Sequence, residues 1–176
     1  MSDARRRFEA QVLPHLDAAY RFARWLSSMP GHADDVVQEA MLRAFRGFAA
    51  FRGNDPRAWL FAIVRNCHLT ALSQQRRRAH EPLPEEPDVE NSHFIAPEPG
   101  PETDALRRDD QRAVERLMSA LPEAYREILI LRELEELDYR DIATVADIPI
   151  GTVMSRLARA RAALRREWQR NLKETA

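Results

Sequence analysis

A cluster of arginines and small hydroxyl residues in the last third of the chain has the chemistry of a nucleic-acid reader. At ~100° per residue, a helix over 149–170 places Val153, Leu157, Ala160 and Leu164 on one side. Thr152, Ser155, Arg159, Ala162 and Arg166 fall opposite, and Arg156, Arg161 and Arg165 flank them. Short hydrogen-bonding side chains allow close approach in a major groove, an arginine reaches base edges, and flanking guanidiniums hold phosphates. A solvated basic face would give the same wheel, so the preceding turn matters. There Ile142, Ala143 and Val145 are the apolar positions of a short helix, and small Ala143 lets the next helix pack close. Asp147 tolerates the left-handed backbone that the turn needs, and Pro149 suits a first helical turn. Together these describe a helix-turn-helix over 139–161.

Two further constellations lie in the first half. On a helix over 33–48, Val37, Met41, Ala44 and Phe48 share a core face, while Asp35, Glu39, Leu42 and Arg46 lie opposite with Gln38 beside them. A singly exposed leucine is ordinary, but two acids, an amide and a leucine together also make a docking surface for a basic helical partner. Next come the loop 51–56 and a helix that carries no acid from Arg57 to His80 and ends in Arg76-Arg77-Arg78. Its lack of negative charge favours phosphate binding. Phe51, Asn54, Arg57, Arg65 and Asn66 supply the stacking wall and hydrogen-bonding groups that unstacked bases need. Trp59 shares a face with Ile63 and Cys67 and reads as core. Cys67, the only cysteine, reads as a small buried residue. His68 beside it points ~100° away and makes a poor metal pair with it.

These residues need helices to hold them. Alternating strand patterns are absent, and Gly is scarce beside Leu, Ala, Arg and Glu, so the expected fold class is all-α. Turn signals at Pro30-Gly31 and at 52–56 divide the first block into helices near 8–29, 33–48 and 56–77. Signals at Leu121-Pro122, around Glu136 and at 147–149 divide the last block into helices near 105–120, 123–135, 138–145 and 149–170. Between the blocks, 81–104 carries six prolines and eight acids with no Lys or Arg, the composition of an extended tether. The expected organisation is a helical bundle over 8–80, a flexible linker over 81–104 and a helix-turn-helix domain over 105–170.

Composition excludes other classes. A net charge of −1 on 176 residues rules out a uniformly basic DNA-coating protein. Cys67 stands alone and the five histidines are scattered, so neither an intramolecular disulfide nor a metal site is expected, and no cofactor. There is no phosphate loop, nucleophile elbow or catalytic triad, and the acids are accounted for as helix surfaces, so an enzyme is not expected. No apolar segment is long enough for a membrane span, and the expected location is cytoplasmic.

The run Leu137–Ala143 (LDYRDIA), followed by Ile148–Arg161 (IPIGTVMSRLARAR), resembles the promoter-reading helix-turn-helix of extracytoplasmic-function sigma factors. Ala120–Glu127 (ALPEAYRE) resembles the helix start before it. Asp34–Glu39 (DDVVQE), Ala44-Phe45, Phe51–Gly53 (FRG), Arg57–Phe61 (RAWLF) and Arg65-Asn66 resemble that family's polymerase-binding and melting domain. Met154 departs from it, standing where Lys or Arg is common, and so does Asp147, where Gly is usual. The resemblance implies that Asp35, Gln38, Glu39 and Leu42 contact the clamp helices of the largest polymerase subunit, with the flap as a further contact. It implies that Phe51, Asn54, Arg57, Arg65, Asn66 and Arg76–Arg78 meet promoter DNA near the melted strand. Thr152, Ser155, Arg156, Arg159 and Arg161 would meet the upstream element. It further implies an anti-sigma partner and a monomer when free. The alternatives are a stand-alone helix-turn-helix regulator, which would bind duplex DNA as a dimer, and a sigma mimic that sequesters an anti-sigma factor.

Overall fold

The computed structural model describes residues 3–27, 29, 31–53, 55–80 and 104–175. Residues 81–103, and with them nearly all of the expected tether, lie outside the described residues, as does Asn54. Among the described residues every regular element is helical.

Helix α1 (Asp3–Gln11) runs into a 3₁₀ turn at Leu13–His15 and then α2 (Leu16–Leu26). A single helix near 8–29 is therefore not what forms. Pro14 has no N–H to donate and its ring disfavours a straight helix, so the chain tightens there and turns about fully buried Val12. Helix α3 (His32–Gly47) follows Gly31, which takes φ 72°, and carries Asp34 and Asp35 in its first turn, where the helix dipole favours acids. A 3₁₀ turn at Phe48–Ala50 leads to α4 (Pro56–His80). The start of α4 is set by Asp55, whose Oδ1 accepts from the backbone N–H of Arg57 (2.8 Å) and Ala58 (3.2 Å), with Pro56 at the first helical position.

In the second half, α5 (Asp104–Ser119), α6 (Glu123–Leu129), a π-helical segment (Ile130–Leu134), α7 (Tyr139–Ala146) and α8 (Ile150–Thr175) follow in order. The helix expected over 123–135 thus widens halfway, and Glu136 (φ 52°) ends it in the left-handed region. Asp138 caps α7 by accepting from the Asp141 N–H at 2.8 Å. Asp147 takes φ 53°, ψ 51°, and the N–H groups of Asp147 and Ile148 both return to the Ala143 carbonyl. That left-handed close turns the chain sharply into α8.

α3 and α4 pack on α2 to form the first unit, and α7 and α8 pack with α6 to form the second. One apolar cluster joins them, from Phe8 through Phe22, Phe61 and Val64 to Ile128, Ile142, Leu157 and Ala163. α4 lies against α7, and α2 lies against α6. Trp59 is half-buried, its ring 4.7 Å from Phe51 and 6.2 Å from Phe48.

Candidate nucleic-acid and partner interfaces

On α8 the wheel is realised in three dimensions. Val153, Leu157 and Ala160 are buried, and Leu164 packs partly against the same core. Ser155 and Arg159 are exposed on the far side, with Thr152, Arg156 and Arg161 half-buried at its edges. Met154, exposed, extends the same surface. Arg161 reaches back across the turn to Glu133, its Nη2 at 2.6 Å and Nε at 2.9 Å from Oε1. Arg132 braces the approach, donating to the Leu137 carbonyl at 2.8 Å with its guanidinium 5.2 Å from the Tyr139 ring centroid.

On α3, Asp35, Gln38 and Leu42 are exposed and Glu39 is half-buried. Glu39 accepts from Arg43 Nε at 2.6 Å, one turn along. Val37 and Ala44 are buried behind this face. Phe45, also exposed, sits beside Leu42 and meets the Phe8 ring edge-on at 5.2 Å. Asp35 and Glu39 rim a cleft of about 380 Å³ between α3 and α4, which also includes His32, Arg43, Cys67 and Gln74. Cys67 is buried, which pushes its thiol up from the ordinary value and keeps it protonated.

The expected DNA-capturing residues of α4 and the loop before it differ in their surroundings. Asn66 and Arg76–Arg78 are exposed. Phe51 is half-buried and tilted onto Trp59. Arg57 and Arg65 instead face the second unit. Arg57 Nη2 lies 2.5 Å from Glu135 Oε2, and the other oxygen of that carboxylate receives Arg21 at 3.5 Å. Arg65 Nε donates to Glu127 Oε1. His68 continues the series, with Nε2 3.0 Å from Glu123 Oε1 and Nδ1 2.9 Å from His32 Nε2. A carboxylate only accepts, so His68 donates from Nε2 and its Nδ1 accepts from His32.

Glu127, Glu135 and His68 are buried, so the expectation that the acids are helix surfaces is corrected at Glu127 and Glu135. Burial pushes the Glu127 carboxyl up against the opposing pull of Arg65, and it pushes both imidazoles down. These residues were not legible as a site. Glu127 leads directly into the apolar run Ile128–Leu131, a faint sign that its side chain turns inward, and nothing near Glu135 or His68 gives even that.

Residues 12–78 match the family Sigma-70 region 2, and residues 111–164 match Sigma-70 region 4. The chain belongs to the sigma-70 family. Within it, the similarity is to the extracytoplasmic-function branch. The RNA polymerase sigma-H factor of Pseudomonas aeruginosa is 37% identical over 146 residues, covering 81% of this chain and 76% of the relative. The ECF RNA polymerase sigma-E factor of Escherichia coli K12 is 36% identical over 140 residues, covering 76% and 72%. Among solved structures, the sigma factor RpoE bound to the anti-sigma factor NepR from Bartonella quintana superposes with a TM-score of 0.72 at 27% identity, over 92% of this chain and 96% of that one. CnrH bound to the cytosolic domain of CnrY gives 0.64 at 25% identity, over 94% and 89%. This sigma factor therefore carries both family regions in the expected order, and its class is that of transcription initiation factors. Among the described residues no helix is long and apolar enough to cross a membrane.

Proposed function

We propose that this sigma factor docks on core RNA polymerase through Asp35, Gln38, Glu39 and Leu42. These residues would meet the clamp helices of the largest subunit, with the second unit on the flap. Thr152, Ser155, Arg156, Arg159 and Arg161 meet the upstream promoter element, while Phe51, Asn54, Arg57, Arg65, Asn66 and Arg76–Arg78 serve the melted region. The observation that carries the reading is α8: Ser155 and Arg159 project from the surface opposite buried Val153, Leu157 and Ala160, behind a sharp Asp147 turn. A helix presented this way enters a major groove with its short side chains first.

The protein acts in the cytoplasm as a non-enzymatic monomer, held in check by an anti-sigma factor, and its regions divide near 8–80, 81–104 and 105–170. Support for the inhibitor comes from the two solved relatives, one seen with an anti-sigma factor and the other with the cytosolic domain of CnrY. Run-off transcription with core polymerase on the promoter of the protein's own operon tests the assignment. A promoter-specific transcript that requires both proteins is expected. Sequence-specific binding of the chain alone, as a dimer and without stimulation of polymerase, would overturn it.

A further inference from the structure

The first turns of α8 carry two tracks of different chemistry. Thr152, Ser155 and Arg159 make one, and each of their side chains can hydrogen-bond. Ile150, Met154 and Ala158 make the other, spaced four apart and therefore neighbours on one flank of the helix. Ile150 is 45% exposed and Met154 54%, and Ala158 is exposed with them. Met154 lies ~100° from Ser155 and ~140° from Arg159 around the helix, on the side away from Arg156. Between the tracks Gly151 opens onto space, and a Cβ added there would meet nothing within 4 Å. Nothing bulky on that face keeps the helix from base edges.

A methionine cannot hold a phosphate, because it has no proton to donate. Met154 is an apolar, flexible side chain in the part of the helix that enters a groove. Entry strips water from whatever faces it. Amino and carbonyl edges of bases then lose hydrogen bonds that a thioether does not replace. The C5-methyl of thymine is the apolar group that a base pair shows in the major groove, and burying it against methionine is favourable.

Resting on the assignment of α8 to the upstream promoter element, we propose that Met154, with Ala158 beside it, reads a thymine methyl there. Ser155 and Arg159 read polar base edges, and Met154 selects thymine toward the other wall of the groove. The promoters that this chain chooses therefore carry an A·T pair at a place fixed by Met154.

The test uses holoenzyme reconstituted from core polymerase and the full chain. It selects from a promoter library varied across the upstream element, and each preferred thymine is then replaced by deoxyuridine. Uracil keeps the pairing edge and O4 and loses only the methyl. At one thymine the replacement should weaken promoter binding about three- to fourfold, the transfer of one methyl group out of water. Met154→Ala and Met154→Lys should abolish that difference, and Met154→Leu should keep it. Met154→Lys should also steepen the salt dependence by about one phosphate neutralised. Leu172→Lys adds the same charge at an exposed position ~27 Å along α8 and should leave the thymine preference as it was. Circular dichroism checks that each variant keeps its helices. The proposal is overturned by a selection with no preferred thymine, by wild-type binding that ignores deoxyuridine, or by a methyl preference that survives Met154→Ala. Weaker polymerase pull-down by Met154→Lys with the methyl preference unmoved would give the apolar track to a protein partner instead. A wild-type holoenzyme that selects promoters but ignores deoxyuridine sinks the methyl contact alone. A chain that selects no promoter with polymerase sinks the sigma-factor reading beneath it.

Discussion

Leu157 and Arg159 lie two residues apart on α8 and should fail in different ways when truncated. Leu157 is 1% exposed and packs in the cluster that includes Val153, Ile142 and Val145. Replacing such a leucine by alanine removes its transfer energy and leaves a cavity, costing about 2–5 kcal/mol. The matched unit holding it has about fifty residues, and at the usual stability per residue it has roughly 3–8 kcal/mol to lose. Leu157→Ala should therefore leave the helix-turn-helix partly unfolded and lower transcription from every promoter alike. Arg159 is exposed, so Arg159→Ala should shift stability by no more than about 0.5 kcal/mol. If its guanidinium binds a base in bidentate fashion, discrimination at one base pair falls by about 1–3 kcal/mol, roughly 5- to 150-fold. The assay is holoenzyme transcription on a library varied across the upstream element, with urea unfolding of the same proteins. Arg161→Ala supplies the contrast: freeing one phosphate from its guanidinium lowers output across the library, keeps the ranking and reduces the salt slope by about one unit. A ranking left intact by Arg159→Ala would refute the orientation assigned to α8.

Other consequences can be checked directly. Asp35→Lys with Glu39→Lys reverses the charge of the α3 face while the core behind it stays in place, so core polymerase pull-down should be abolished with helicity by circular dichroism unchanged. Asp147 holds φ 53°, so Asp147→Ala should cost about 1 kcal/mol in urea unfolding, whereas Asp147→Gly should be neutral or stabilising. Stability should also depend on pH through His68 and His32. The groups facing them are Glu123 and Arg126 from α6 and Asp35 from α3. Burial lowers both imidazoles from 6.5, so the unfolded chain takes up protons there that the folded chain still refuses. Their contribution is complete above about 6.5 and is lost as the pH falls below it. Glu127, raised from 4.5 by burial, works in the opposite sense: its contribution is complete below about 4.5 and is lost as the pH rises through its raised value. The difference in urea midpoint between wild type and His68→Leu isolates the imidazole part and should shrink from about pH 7.5 to about pH 5.5. A constant difference would show that His68 titrates normally.

What the sequence by itself determined was local. A helical period, a left-handed turn at Asp147 and a cap at Asp55 are each decided within a few residues, by steric rules and by which side chain can reach which N–H. The surfaces of α3 and α8 follow from such periods, because a helix with one apolar stripe has its opposite face decided as well. Pro14 shows the limit of that reading. The period runs unbroken from 8 to 29, but one missing N–H breaks the helix and the core anchors the break at Val12. Only the tertiary structure decided what Arg57, Arg65, His68, Glu127 and Glu135 do. A charged side chain on one helix is the same in sequence whether it meets water, a phosphate or a carboxylate 78 residues away. Burial distinguishes these cases, and burial belongs to the packing of two units whose pairing no local rule specifies.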